Sequence, residues 1–276
     1  MKRVLFFLGM MLWMMCAVAA DYAAVDTYAK NAPPLRTDNG LPKLVKYLTK
    51  PYQTDEEKAR VLLAWLVYNI NYDKERLKRI ADGKEAADIE ISLEVETNPR
   101  TGQLVLKRGN LKELHDENTL QKTLKTRKGI CKDIAKLYQH MCQLAGLEVE
   151  IIQGYACDSQ QDFETSEAHM WTAVKINGIW RFIDPTWALQ GRIVYAHSQR
   201  EAQQIKRQLK RKQNVDTIKG VQKKVLDEWF LVDEEKIIQT HFPFERRWQL
   251  QKRRVTFDEF LRKSCHSSLK KFVNQL

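Results

Sequence analysis

Cysteine is scarce in this chain. Five occur in 276 residues, at positions 16, 131, 142, 157 and 265. That is too few for a disulfide-built scaffold, and no Cys-x-x-Cys spacing offers a zinc or redox pair. Long apolar runs are lacking too. The one at the start, Val4 to Met15, is shorter than the ~18 residues a spanning helix needs. Internal repeats and low-complexity tracts are absent, which excludes a solenoid and a disordered linker protein.

What is present begins with that short run. It follows Lys2 and Arg3 and precedes Ala17, Val18, Ala19 and Ala20, the order of a secretory signal peptide. The expectation is cleavage before Asp21 and an exported, periplasmic or secreted protein. Cys16 follows Met15, where a lipid-anchored cysteine would want a small residue. The remaining 256 residues suffice for one sizeable core with appendages.

Loss of Lys2 and Arg3 lowers the formal charge from +11 to +9. The basic excess concentrates in "KRQLKRK" at 206–212, "ERR" at 245–247 and "KRR" at 252–254. For an exported chain, nucleic acid is set aside. Anionic envelope polymers, lipid head groups or an acidic protein suit the charge better, against the plainer reading of a solvated helix face.

Helical phase marks two core helices. In "TDEEKARVLLAWLVYNINYD", Thr54 and Glu57 form a capping box, and apolar positions 61, 62, 65, 66, 69 and 70 follow. In "GICKDIAKLYQHMCQLAG", Ile134, Leu137, Tyr138, Met141, Leu144 and Ala145 share a face, and Gly146 supplies a stop. Cys131 heads that helix. Most free cysteines are small buried hydrophobes; one at a helix N-terminus lies where the dipole favours thiolate. Cys142, three turns on, belongs to the core. A disulfide between Cys157 and Cys265 is left open.

Strands follow the second helix. "IEISLEVE" and "QLVLK" flank a turn as a hairpin at 89–107, and "EVEIIQGYA" is a further strand. "HMWTAVKI" and "IWRFID" are joined by Asn177-Gly178, a strong hairpin signal. A two-residue turn sets Ile176 opposite Ile179, Trp171 opposite Asp184 and His169 opposite Thr186. His169, Trp171 and Asp184 then share one face, with imidazole and carboxylate in diagonal reach. A carboxylate on one ring nitrogen leaves the other for a nucleophile, so Cys131, His169 and Asp184 form the parts of a thiol site. As metal ligands the three are a poor set, with no evident fourth.

These residues resemble the transglutaminase-like superfamily, and most of all its kyphoscoliosis peptidase-like branch. The resemblance rests on "GICKDIAKLYQHMCQLAGLEVEIIQGYA", "HMWTAVKINGIWRFIDPTWA", "WFLVDEEKIIQTHFP" with "WQLQ", and the upstream "INYD". It implies a papain-like α+β fold, with the helix carrying the cysteine packed on an antiparallel sheet. It also implies a Cys-His-Asp triad at Cys131, His169 and Asp184, acting on protein or peptide amides through a thioester, with no cofactor and no metal. Trp171 and Tyr72 are candidate substrate-side residues. Met170 departs from the family's small residue after the histidine, and "DEEK" stands for the usual "DPEK".

The expected plan is a signal peptide at 1–20, an N-terminal segment at 21–53 and a transglutaminase-like domain at 54–250. Insertions fall at about 74–125 and 191–227, the latter carrying a basic helical stretch at 198–227. A C-terminal helix at 251–276 packs on the core. Hydrolysis by a cysteine peptidase or deamidase, and a non-catalytic scaffold built on the same core, are the alternatives.

Overall fold

The structure, a computed structural model, describes residues 21–35, 40–85, 89–113, 119–157, 167–194, 198–211 and 221–264. The expected signal peptide at 1–20 and Cys265 lie outside them.

The centre is a helix that water scarcely reaches. Helix α3 (Asp55–Asn69) starts at the Thr54–Glu57 capping box, then buries every residue from Ala59 to Val67. Burial on all sides exceeds the one-faced pattern of its sequence. It follows because α1 (Ala23–Lys30) and α2 (Leu41–Thr49) pack on it from the N-terminal segment, and α6 (Cys131–Leu144) from the other side. Arg60 lies within this core, its charge met by Asp26 at 2.7 Å and Asp227 at 2.6 Å.

A four-stranded antiparallel sheet packs on α6. Its order is β10-β5-β6-β7, with β5 Val149–Ala156, β6 Glu167–Ile176, β7 Ile179–Ile183 and β10 His241–Pro243. The β6–β7 register follows Asn177-Gly178, both at positive φ (50° and 80°), and pairs Ile176 with Ile179 and Thr172 with Ile183. A parallel bridge joins β1 (Asn71–Tyr72) to β4 (Lys128–Gly129), bringing Tyr72 opposite Gly129 just ahead of α6.

The other sheet face is covered by the hairpin of β2 (Ile89–Thr97) and β3 (Leu104–Glu113) and by α10 (Phe257–Ser264). The hairpin is longer than its sequence pattern indicates, and a bulge at Glu94/Val95 bends it. Leu111 exchanges backbone hydrogen bonds with the Gln153 side chain, at 3.1 and 3.0 Å. Met170 is buried in a cluster with Leu111 of this hairpin and Ala135 of α6, which houses the larger side chain after His169. A cavity of about 190 Å³ between hairpin and α10 lies across the sheet from His169.

Helix α4 (Lys74–Ala81), capped by Asp73, follows β1. The basic insertion is only partly helical: α8 spans Gln199–Arg211, while β8 (Arg192–Val194) pairs with β9 (Val221–Lys223). Among the described residues, no helix is long and apolar enough to cross a membrane.

Candidate active site

Cys131 is the first residue of α6, half-buried and free. The first N–H groups of a helix have no partner within it, so the Cys131 amide is one of the donors that the helix itself does not use. The helix start is held by Asp133, whose carboxylate accepts the Ile130 N–H at 3.0 Å and pairs with Arg76 of α4 at 3.0 Å. Both side chains of that pair are 6% exposed, so the carboxylate near Cys131 is neutralised by a buried cation.

His169 stands on the face of β6 that looks toward α6, opposite Gly154 of β5. Glycine there gives the Trp171 ring and the β10 backbone room to close on the site: a Cβ would overlap the ring and the Phe242 carbonyl oxygen.

Asp184 comes from a place the hairpin pattern only half indicates. The β6–β7 ladder stops at Ile183, so the expected pairing of His169 with Thr186 does not form. Asp184 instead caps α7 (Pro185–Ala188), accepting N–H groups of Thr186 at 2.8 Å and Trp187 at 3.1 Å on Oδ1. Asp-Pro is the local signal for this: a capping carboxylate followed by a residue with no N–H to satisfy. The juxtaposition with His169 survives, because Oδ2 lies 2.8 Å from His169 Nε2.

His241 of β10 reaches the same oxygen, its Nε2 at 3.0 Å. An ionised carboxylate only accepts, so both rings carry a proton on Nε2, and His169 presents Nδ1 to Cys131. Sequence reasoning did not single out His241. It lies 57 residues beyond Asp184, on a strand too short for a periodicity signal.

Electrostatics follow from this geometry. Burial alone would raise the Asp184 carboxyl, but the His169 charge and hydrogen bonds from both imidazoles hold it well below the carboxylate range. For His169, burial opposes protonation. Asp184 outweighs it, with the Cys131 side chain acting in the same direction, and the imidazole is raised to about 10.

The surroundings are aromatic. Trp171, 1% exposed, stacks on His169 with centroids 6.1 Å apart. Trp171, Trp187 and Trp229 surround His241 at 4.9, 4.5 and 5.5 Å. Trp171 is thus enclosed, with its ring against both imidazoles. Tyr72 is half-buried, and its backbone pairs with Gly129 two residues before Cys131. Donor atoms of His169, Asp184 and His241 lie within 4.8 Å of one another, a set able to hold a divalent metal. Here both nitrogens are committed to the carboxylate instead.

A family model described as the transglutaminase-like superfamily matches residues 103–185, the stretch that contains Cys131, His169 and Asp184. The transglutaminase-like match is thus to this stretch of the chain. The helix-on-antiparallel-sheet core is the papain-like α+β arrangement. The chain is 25% identical over 255 residues to kyphoscoliosis peptidase of Homo sapiens, a match that covers 90% of this chain and 29% of that one. Hillarin of Drosophila melanogaster is 27% identical over 129 residues, 45% of this chain and 14% of its own. A solved structure titled as a TGase gives a TM-score of 0.36 at 12% identity, over 70% of this chain and 39% of that chain. The chain thus spans under a third of the length of the human relative.

Proposed function

We propose that this chain is a thiol enzyme that cleaves or transfers the acyl group of protein or peptide amides through a thioester at Cys131. One observation carries the reading: the His169 ring is held by a buried carboxylate at 2.8 Å on one nitrogen, with Cys131 acting on it at a helix start.

In the mechanism, the Cys131 thiolate adds to the amide carbonyl carbon, and the Cys131 backbone N–H donates to the oxyanion. The C–N bond breaks as His169 Nδ1–H protonates the leaving nitrogen, which departs as ammonia or an amine. The acyl group stays on sulfur. Water or an amine then attacks the thioester, His169 takes its proton, and the thiol returns. Asp184 keeps the imidazole oriented throughout. The word peptidase in the name of the human and mouse relatives favours hydrolysis as the second step.

The leader-like segment supports export, and the basic helix α8 supports contact with an anionic envelope component. N-terminal sequencing of the protein recovered from cells tests export: the proposal expects Ala20 or Asp21 first, and an intact Met1 opposes it. Incubation with a glutamine-containing peptide library, with and without an amine, tests the chemistry. Release of ammonia or of peptide fragments, or amine incorporation, is expected, together with an acyl-enzyme mass on Cys131. No turnover and no adduct would leave the scaffold reading in its place.

A further inference from the structure

The carboxylate that orients His169 is itself held, and the group that holds it lies outside the three residues of the proposed mechanism. Asp184 Oδ1 is fixed by two backbone N–H groups of α7. Oδ2 meets His169, whose ring must exchange protons with the thiol and the leaving group. A carboxylate whose second oxygen depended on that ring alone would be free to shift as the ring did. His241 supplies a second donor to Oδ2, at 3.0 Å, from a strand of the sheet.

His241 is well placed for this. Its partner on β5 is Ala156, which shares a sheet face with Gly154 and therefore with His169. The ring is fully buried. At its far side, Nδ1 lies 2.8 Å from the Thr240 hydroxyl, which can donate to it and leave the ring neutral. Among the groups facing the ring are Asp184 from α7, His169 from β6, Thr240 from its own segment and the uncharged indoles of Trp171, Trp187 and Trp229. The two imidazole centroids are 5.5 Å apart. One carboxylate charge between them favours one protonated ring, and the ring that contacts Cys131 is His169.

We propose that His241 is a positioning residue: its Nε2–H locks the Asp184 carboxylate and thereby fixes the His169 ring toward Cys131. The inference rests on the thiol mechanism above for its effect on turnover, while the hydrogen bond itself can be tested without turnover.

The test combines histidine-selective 15N NMR of the wild-type protein with two variants. The NMR expectation is an imidazolium at His169, protonated on both nitrogens, and a neutral Nε2–H tautomer at His241. His241→Gln retains an N–H at the ε position; His241→Leu fills similar space without one. His241→Leu should lose about 10- to 100-fold in kcat with KM unchanged, as when an outer partner of an oriented imidazole is removed. Its Cys131 alkylation curve should move to higher pH, and His241→Gln should restore both. A merely structural role would lower thermal stability without moving the alkylation curve or giving rescue by Gln.

A proton on Nδ1 of wild-type His241 would overturn the proposal, as would a His241→Leu protein with unaltered kcat and alkylation curve. If His241→Leu does not fold, the wild-type tautomer and the Gln variant decide. If no amide is turned over at all, the mechanism fails, yet the NMR and alkylation results still separate a coupled His241 from an uncoupled one.

Discussion

Gly154 lies directly opposite His169 across the β5–β6 ladder, and the volume its side chain would fill belongs to the Trp171 ring and the Phe242 carbonyl. The His169 face of the sheet is therefore closed by the absence of a methyl group. Gly154→Ala should force β10 away from β5, since a carbonyl oxygen cannot rotate aside as a flexible side chain does. Overpacking of this kind destabilises by about 1–3 kcal/mol. Urea unfolding should show the loss. Turnover should fall as well, because β10 carries His241.

The two described free cysteines should differ sharply toward iodoacetamide. Cys142 is fully buried, and burial pushes its thiol up to about 12. Cys131 is half-buried at the head of the same helix. Peptide mapping of the folded protein at neutral pH should find label on Cys131 and none on Cys142. Cys131→Ala should retain the wild-type circular dichroism spectrum while abolishing both label and turnover. His169→Ala should slow labelling.

The imidazole–carboxylate pair sets a pH window for stability. His169 is raised above its unfolded value, so its contribution is complete below an unfolded pKa of ~6.5 and is lost as pH rises toward about 10. Asp184 is depressed, so its contribution is present above an unfolded pKa of ~3.9 and lost as pH falls through its folded value. Between these limits both act. Denaturation of wild type and His169→Gln should differ most near pH 5–6 and converge toward pH 10. A difference that grew with alkaline pH would contradict the assignment.

Arg76 and Asp133 join α4 to the start of the cysteine helix through a pair from which water is nearly excluded. Arg76→Met leaves a buried carboxylate without that cation, a change that costs about 3–5 kcal/mol where it has been measured. The melting temperature should drop. Labelling of Cys131 should slow in the protein that remains folded, since Asp133 fixes the Ile130 amide one residue before it.

Cys157 is disulfide-bonded, and its sulfur lies 3.2 Å from the Ser264 carbonyl oxygen. Cys265 follows Ser264 in sequence but lies outside the described residues. The expected bridge is Cys157–Cys265. Non-reducing peptide mapping should recover it and should leave Cys131 and Cys142 as thiols. A bridge to Cys131 would rule out the thiol mechanism for that form.

Much of this site was legible because short-range rules govern its parts. Helical phase ending at Gly146 put Cys131 at the head of α6, and both appear in the structure, Gly146 at φ 79°. Asn177-Gly178 prescribed a turn with two positive φ angles, and that turn fixed a register bringing His169 and Asp184 together. Capping chemistry, turn chemistry and side-chain alternation act over a few residues, and the sequence states them outright.

Tertiary structure decided the rest. The three residues of β10 have no periodicity to read; they become a strand only because β5 offers an open edge and the aromatic segment before them packs on α7. That pairing brings His241 to Asp184 across 57 residues. Likewise, Trp171 was placed beside His169 by alternation, but its enclosure needed Gly154, His241 and the β10 backbone from distant parts of the chain. The sequence alone determined which chemical groups stand at the head of one helix and at the end of one hairpin. Long-range packing, in which no single contact carries a local signature, determined that one buried carboxylate serves two imidazoles.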